Sequence, residues 1–229
     1  NYRLINHGTS NLDSTFMATW TDADLGYAFD DYIGCDTVRG LGILYNGDGF
    51  DGAGEANSYG SDLPMIGIDF FRGPHRVWYE NGQRFDSVLR MTAFTYFNNG
   101  NDPRIGDPRN GVQVYNYMTG TSKNGQNFNN DFQGPGVNST AIGPGVDTRF
   151  VFFGDPDGAG GNLWSECVCQ NPPDDRRFIH SAGPFVLEPG AINDITIGAV
   201  WVSGTGGCPN TNFKKIRLAD DQAQALFDN

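Results

Sequence analysis

The chain has 229 residues, enough for one sizeable hydrophobic core, and it carries 27 acidic against 15 basic residues, a formal net charge of −12. Such a charge disfavours nucleic acids and anionic lipid surfaces as partners, and it suits cations, basic proteins or neutral glycans. No apolar run reaches the 18 or so residues of a membrane span. We therefore expect one β-rich domain over residues 1–229 and, because the chain begins without Met, a piece of a longer protein.

Short β-prone runs separated by turns dominate the chain, which contains 32 Gly and 12 Pro to make those turns. In the first run Phe16, Ala18 and Trp20 alternate with other residues, which is the period of a half-buried strand. Near the other end Ile195, Ile197 and the residues after them form a run that is apolar on both faces, which predicts a central strand. The candidate strands are residues 14–20, 41–45, 65–71, 76–79, 88–97, 112–118, 149–153, 178–187 and 193–202.

The C-terminal residues change to a helical pattern. Phe213, Ile216, Ala219, Ala223 and Leu226 recur at helical spacing among good helix formers, which predicts one helix over residues 212–227. Many short strands followed by one helix indicate an all-β fold. We expect a two-sheet β-sandwich of the jelly-roll or immunoglobulin-like type, with the helix packed on its edge or end.

An acidic stretch over residues 21–36 follows the first strand. It contains five carboxylates and no Lys or Arg before Arg39, so a folded domain must either expose these groups to water or bridge them with a cation. Calcium is the natural bridge, because it takes six to eight oxygen ligands in flexible geometry. The loop is not an EF-hand, since Ile33 stands where that loop needs a Glu. The candidate calcium ligands are Asp22, Asp24, Asp30, Asp31 and Asp36; the alternative is a solvated acidic loop.

A glycine-rich turn over residues 46–52 supplies a weaker second set of candidate calcium ligands, Asn46, Asp48 and Asp51. Its glycines match the G-x-G-x-x-G spacing of dinucleotide-binding loops. We reject that interpretation, because no helix pattern follows and two carboxylates would repel a pyrophosphate.

The chain has four cysteines, Cys35, Cys167, Cys169 and Cys208, which allow three disulfide pairings or some free thiols. Cys167 and Cys169 are too close to pair comfortably with each other, so each is expected to reach a distant partner. A zinc site is disfavoured because neither C-x-x-C nor H-x-H spacing is present. The even cysteine count favours an oxidising, extracytoplasmic location.

Catalytic motifs are scarce in the sequence. The histidines are isolated, and no nucleophile elbow, metalloprotease helix or P-loop is present. Only Glu80 and Glu166, each beside aromatic residues, fit the acid of a glycosidase, which needs two placed carboxylates. The alternative for both is a polar residue at a strand end.

Two further groups of residues have a predicted role. The arginines of the run Asp174-Asp175-Arg176-Arg177 are expected to clamp a neighbouring acidic loop, because guanidinium groups pair bidentately with carboxylates.

Aromatic rings on a strand face can stack on sugars or anchor a protein partner. The candidates for such an exposed face are Trp78, Tyr79, Tyr115 and Tyr117, and their alternative is core packing.

Several stretches resemble a domain of large secreted surface proteins of the Bacteroidota, many of them exported by type IX secretion. The matching residues are STFMATWTDADLGYAFDDYIGCDT (14–37), LYNGDG (44–49), GIDFFRGP (67–74), GDP (154–156), DRRFIHSAGPFVLEPG (175–190), DITIGAVWV (194–202) and LADDQAQALFD (218–228). The resemblance implies a secreted or cell-surface module that precedes other domains and a sorting signal, and it implies no known catalytic residues.

Together these features predict a non-catalytic, calcium-stabilised module for adhesion, binding or assembly. Its expected partners are other surface proteins or glycans. The alternative is an extracellular hydrolase that acts on polysaccharide or protein.

Overall fold

The computed structural model describes residues 1–129, 147–158 and 164–229. It contains twelve strands in the described part of the chain and two α-helices, α1 (Gly111–Met118) and α2 (Lys214–Asp228). The strands are β1 (Tyr2–Ile5), β2 (Leu12–Thr21), β3 (Asp31–Asp36), β4 (Leu41–Asn46), β5 (Met65–Arg72), β6 (His75–Glu80), β7 (Gln83–Val88), β8 (Ala93–Asn98), β9 (Phe128–Asn129), β10 (Asp147–Thr148), β11 (Arg176–Leu187) and β12 (Ile192–Val202).

Two antiparallel sheets form the body of the fold. A five-stranded sheet has the order β1-β12-β5-β4-β3, and a three-stranded sheet has the order β2-β11-β8. The pairs β6–β7 and β9–β10 form separate two-stranded ribbons. The prediction of an all-β, sandwich-like fold is confirmed, and β12 lies inside its sheet as the apolar pattern of both its faces indicated.

The main core lies between the two sheets. Phe94 and Tyr96 of β8 and Phe178 of β11 face Ile33 and Leu44 of the larger sheet, and all five are fully buried. Gly42 of β4 permits this contact, because a Cβ there would lie 2.8 Å from the Phe178 ring and 2.9 Å from the Phe94 ring. Large aromatic rings on one sheet therefore fit against a small residue on the other.

Helix α2 covers the opposite face of the five-stranded sheet. Its buried Ile216 packs against Leu41, Ile43, Met65 and Val200 in a second apolar cluster. The predicted C-terminal helix is thus confirmed, and it begins two residues after the expected start.

Three of the predicted strands differ from the structure. Residues 112–118 form α1, because the Asn110 side chain accepts a hydrogen bond from the Gln113 N–H at 3.0 Å and caps the helix. Residues 149–153 form a turn, although the backbone of Phe94 makes hydrogen bonds to the backbone of this turn. The run 88–97 is interrupted, since β7 ends at Val88 and β8 begins at Ala93. Apolar, β-prone composition alone did not separate these cases.

Two buried carboxyl groups lie where α2 packs against β5. Asp69 and Asp220 are 4% and 2% exposed, and neither Oδ1 atom has a hydrogen-bond partner in the described part of the chain. Burial and the charge of Asp220 raise the pKa of Asp69 to about 7, and burial and the charge of Asp221 raise the pKa of Asp220 to about 6. The other charges that act on the pair are Arg39, Arg90, Asp36 and Asp221.

We expect the calcium-free domain to be more stable at pH 5.5 than at pH 8. An unfolded Asp has a pKa of about 3.9, so the folded state binds more protons between roughly pH 4 and pH 7. The stabilisation is fully present below the unfolded pKa and is lost as the pH rises through the folded pKa values. Between pH 5.5 and pH 8, Asp69 alone lowers the free energy of unfolding by about 2 kcal/mol, which corresponds to roughly 4–8 °C in melting temperature.

Thermal melts in chelator at the two pH values measure this difference, and Asp69→Asn should reduce it. The carboxylates with lowered pKa values, Asp36, Asp194 and Asp221, lose their contributions only in more acidic solution. A pH response that Asp69→Asn leaves unchanged would contradict the assignment.

Candidate metal centre

The end of β2 and the start of β11 bring distant carboxylates together. Thr21 pairs with Phe178 across the two antiparallel strands, so residues 22–24, which follow Thr21, lie beside residues 175–177, which precede Phe178. One ligand oxygen from each of Asp22, Asp24 and Asp175 lies within 4.8 Å of the others. We call these three residues the carboxylate cluster.

Asp175 is the buried member of the carboxylate cluster. It is 6% exposed, and its Oδ1 atom has no hydrogen-bond partner among the described residues. Its Oδ2 atom accepts hydrogen bonds from Asn99 Nδ2 and Arg177 Nη2, both at 3.1 Å. Burial raises the pKa of Asp175, and the charges of Asp22 and Asp24 raise it further. One buried oxygen of Asp175 is therefore left without a compensating donor.

The two exposed members come from the turn after β2. Asp24 has a φ angle of 42°, in the left-handed region that Asp tolerates better than most residues. Its side chain makes no hydrogen bond or ion pair within residues 1–129, 147–158 and 164–229. The loop after β2 thus holds Asp24, which has no partner among the described residues, beside the buried Asp175.

Arg177 is the cation that contacts this region. Its guanidinium lies 2.9 Å from Asp22, 3.1 Å from Asp107 and 3.1 Å from Asp175. The prediction that the arginines of this run clamp an acidic loop is confirmed for Arg177, whereas Arg176 pairs with the buried Glu166. One positive charge faces three carboxylates directly and Asp24 nearby, so the region keeps a net negative charge.

A second group of candidate ligands is buried at the start of β3. Asn46 Nδ2 donates to Asp30 Oδ1 at 3.0 Å and lies 3.5 Å from Asp51 Oδ1. Backbone N–H groups complete the arrangement, since Gly52 donates to Asp30 at 2.7 Å and Tyr27 donates to Asp51 at 2.9 Å. These carboxylates are held mainly by hydrogen bonds from within the protein.

Asp31 connects the two groups electrostatically. It is 1% exposed, its Oδ2 accepts from the Leu25 N–H at 3.1 Å, and its Oδ1 has no hydrogen-bond partner in the part of the chain that the structure describes. Burial raises the pKa of Asp31 to about 9, and the nearby charges of Asp30, Asp51 and Asp24 add to the effect. The local field is therefore unfavourable to a further negative charge and favourable to a cation.

The remaining two candidate ligands lie elsewhere. Asp36 is at the opposite end of β3 from Asp31, where its Oδ2 accepts from Arg217 Nε at 2.6 Å and Arg39 Nη1 at 3.1 Å. Asp48 is exposed, and its Oδ1 accepts from the Phe50 N–H at 2.8 Å. The structure thus separates both from the carboxylate cluster.

The two carboxylates considered for catalysis have different surroundings. Glu166 is fully buried, with its Oε2 2.8 Å from Arg176 Nη2 and its Oε1 accepting from the Ile33 N–H at 2.9 Å. Glu80 is exposed at the end of β6, beside the turn to β7. Glu166 therefore has a structural role, neutralising a buried arginine.

The four aromatic candidates divide between core and surface. Tyr117 is fully buried and stacks on Phe97, so for this residue the alternative of core packing holds. Tyr115 is 42% exposed and donates a hydrogen bond to the Ser14 carbonyl. Trp78 stacks on Phe85, and Tyr79 is 62% exposed on the same β6–β7 hairpin.

One disulfide joins Cys167 to Cys208, with their Cα atoms 5.7 Å apart. Cys35 and Cys169 are buried free thiols. The expectation that Cys169 reaches a distant partner is therefore wrong. The turn after Trp164 directs Cys169 into the core between the sheets and Cys167 into the cluster under α2.

Comparison with known proteins finds no family model, no curated protein and no solved structure that matches the chain. Among the described residues, no helix is both long enough and apolar enough to cross a membrane. The likeness to secreted surface proteins of the Bacteroidota and the binding of calcium remain predictions.

Proposed function

We propose that this chain is a non-catalytic, calcium-stabilised module of a secreted or cell-surface protein, and that it serves adhesion, binding or assembly. The observation that carries the proposal is the carboxylate cluster with the unpartnered Oδ1 atom of Asp175. The sequence resemblance and the disulfide support an extracytoplasmic location, because disulfides persist in oxidising compartments.

The spacing of the carboxylate cluster fits calcium. Calcium–oxygen distances are about 2.3–2.6 Å, so two oxygens on one ion lie at most about 5 Å apart. The ligand oxygens of Asp22, Asp24 and Asp175 lie within 4.8 Å of one another, which is inside that range. Three carboxylates leave room for backbone carbonyls or waters in the six to eight positions that calcium fills. The buried charge of Asp175 supplies the electrostatic reason for a cation there.

This revises the ligand set that the sequence suggested. Asp22 and Asp24 stay, Asp175 joins them, and Asp36 and Asp48 leave the site. Asp30 and Asp51 act mainly through their charge, because protein hydrogen bonds already satisfy most of their oxygens. Asp31 stays outside the cluster, and its pKa of about 9 keeps it protonated at neutral pH.

Thermal melts with calcium and with chelator test the proposal. An ion that binds only the folded state stabilises it by about 2.7 kcal/mol at a hundredfold excess over its dissociation constant. For a chain of this length we expect melting to shift upward by roughly 5–10 °C. Asp24→Asn should remove most of that shift, because it neutralises a ligand that has no protein partner.

Asp13→Asn is the matched control. Asp13 is exposed on β2, and the same substitution removes the same charge outside the carboxylate cluster. It should leave the calcium shift intact. Equal melting temperatures in calcium and chelator for the unmodified protein would contradict the proposal.

A further inference from the structure

The two facing sheets differ in width, and the difference leaves a groove. On the side of β2 the three-stranded sheet ends, while β12 and β1 continue the larger sheet beyond it. A groove of about 510 Å³ runs there along residues 17–21 of β2, with Tyr2, Ile68 and Ile197 on the larger sheet as its wall. Tyr2 is 56% exposed. The groove lies where a fourth strand of the smaller sheet would be.

Among the residues that the structure describes, no strand pairs with the outward backbone groups at the end of β2. Phe94 of β8 bonds to the 149–151 turn at 2.8 and 3.0 Å, so its N–H and C=O point away from β11. In antiparallel strands the backbone N–H and C=O groups of successive residues point alternately to the two sides. The backbone groups of Ser181 and Ile179 on β11 therefore point toward β8. Ala18 and Trp20 of β2 pair with these two residues, so their backbone N–H and C=O groups point away from β11, toward the open edge.

The part of this edge after Met17 lacks the usual protection against pairing, because the register irregularities of the β2–β11 pair lie within residues 12–17. Natural proteins shield edge strands with Lys, Pro, bulges or a covering segment, because an open edge is a template for another strand. β2 is ten residues long, contains neither Lys nor Pro, and its one charge is Asp13 near its start. No strand in the described part of the chain pairs with its outer side.

We propose that the β2 edge and its groove bind an extended segment of a partner protein, which adds to the three-stranded sheet as a fourth strand. Main-chain hydrogen bonds to Ala18 and Trp20 hold the segment, and its alternate side chains cover Tyr2 and Ile197. The inference rests on the proposed binding function and names the class of partner and the place where it binds.

The chemistry of the groove and the charge of the domain select the occupant. Ile68 and Ile197 in the wall favour apolar residues at alternate positions of the segment. A second copy of this chain is disfavoured, because each copy carries a net charge of −12. The partner segment is therefore neutral or basic.

Amide hydrogen exchange, followed by NMR, tests the proposal with a nine-residue peptide in which Ile and Val alternate with Thr between terminal lysines. At saturating peptide we expect exchange at Ala18 and Trp20 to slow at least tenfold. The Thr19 amide, which faces β11, should change little. A peptide with Pro at alternate positions lacks the necessary N–H groups and should have no effect.

Protection that fails to alternate along β2, or that is absent at millimolar peptide, would overturn the proposal. The same alternating protection on raising the protein concentration without peptide would replace the partner segment with a second copy, and would also overturn it.

Variants at one position provide an independent test. Ala18→Pro removes the outward N–H, whereas Ala18→Ser keeps it at similar size. We expect Ala18→Ser to bind the peptide like the unmodified protein and Ala18→Pro to bind at least tenfold more weakly. If Ala18→Pro does not fold, the alternating exchange pattern decides. A normal calcium shift in Ala18→Ser together with no peptide binding would reject this inference and leave the proposed calcium-stabilised module standing.

Discussion

Replacing Glu166 with Gln is expected to lower the free energy of unfolding by about 3–5 kcal/mol, the usual cost of removing one partner of a buried ion pair. Arg176 is 1% exposed, and its guanidinium lies 2.8 Å from Glu166 Oε2. The variant removes the carboxylate nearest to that buried charge and leaves Asp174, which is 3.7 Å away and half exposed. Chemical denaturation of the purified variant measures the loss.

Glu80→Gln is the control for this substitution. Glu80 is exposed on the β6–β7 hairpin, so its replacement should change stability by less than about 0.5 kcal/mol. Replacing Glu166 and Arg176 together by Met should recover much of the loss, because the pair is then removed as a whole. A Glu166→Gln protein as stable as the unmodified one would contradict the structural role of Glu166.

Removing the Cys167–Cys208 disulfide is expected to cost about 4 kcal/mol. The two cysteines are 41 residues apart, and a crosslink that closes a loop of this size restricts the unfolded chain by roughly that amount. The corresponding fall in melting temperature is roughly 10 °C. Melts of the Cys167→Ser, Cys208→Ser double variant measure it.

Thiol titration in denaturant checks the pairing itself. Before reduction two thiols should react, those of Cys35 and Cys169, and all four should react afterwards. Four reactive thiols before reduction, with melting unchanged by reductant, would show that the bond does not form in the protein.

Local patterns were enough to predict most of the fold. The alternating residues of β2 and the apolar faces of β12 gave strands, and the spacing of Phe213, Ile216 and Ala219 gave α2. Residues 112–118 misled because Val112 and Val114 are β-prone, while the cap that starts α1 depends on one side chain, Asn110.

The candidate site was only partly predictable, because it depends on which strands pair. Asp22 and Asp24 stand out as unpaired charges within one short stretch. Asp175 joins them only through the register of β2 with β11. In the sequence it lies two residues before Arg177, which favoured its interpretation as part of an ion pair. Asp36 leaves the group because Arg217, far along the chain on α2, reaches it.

Isothermal titration of calcium into chelator-treated protein tests the central claim most directly. Calcium should bind with a stoichiometry near one, and both Asp24→Asn and Asp175→Asn should weaken binding at least tenfold, while Asp13→Asn leaves it unchanged. The absence of binding at millimolar calcium, or binding that neither Asp24→Asn nor Asp175→Asn weakens, would contradict a calcium ion held by the carboxylate cluster.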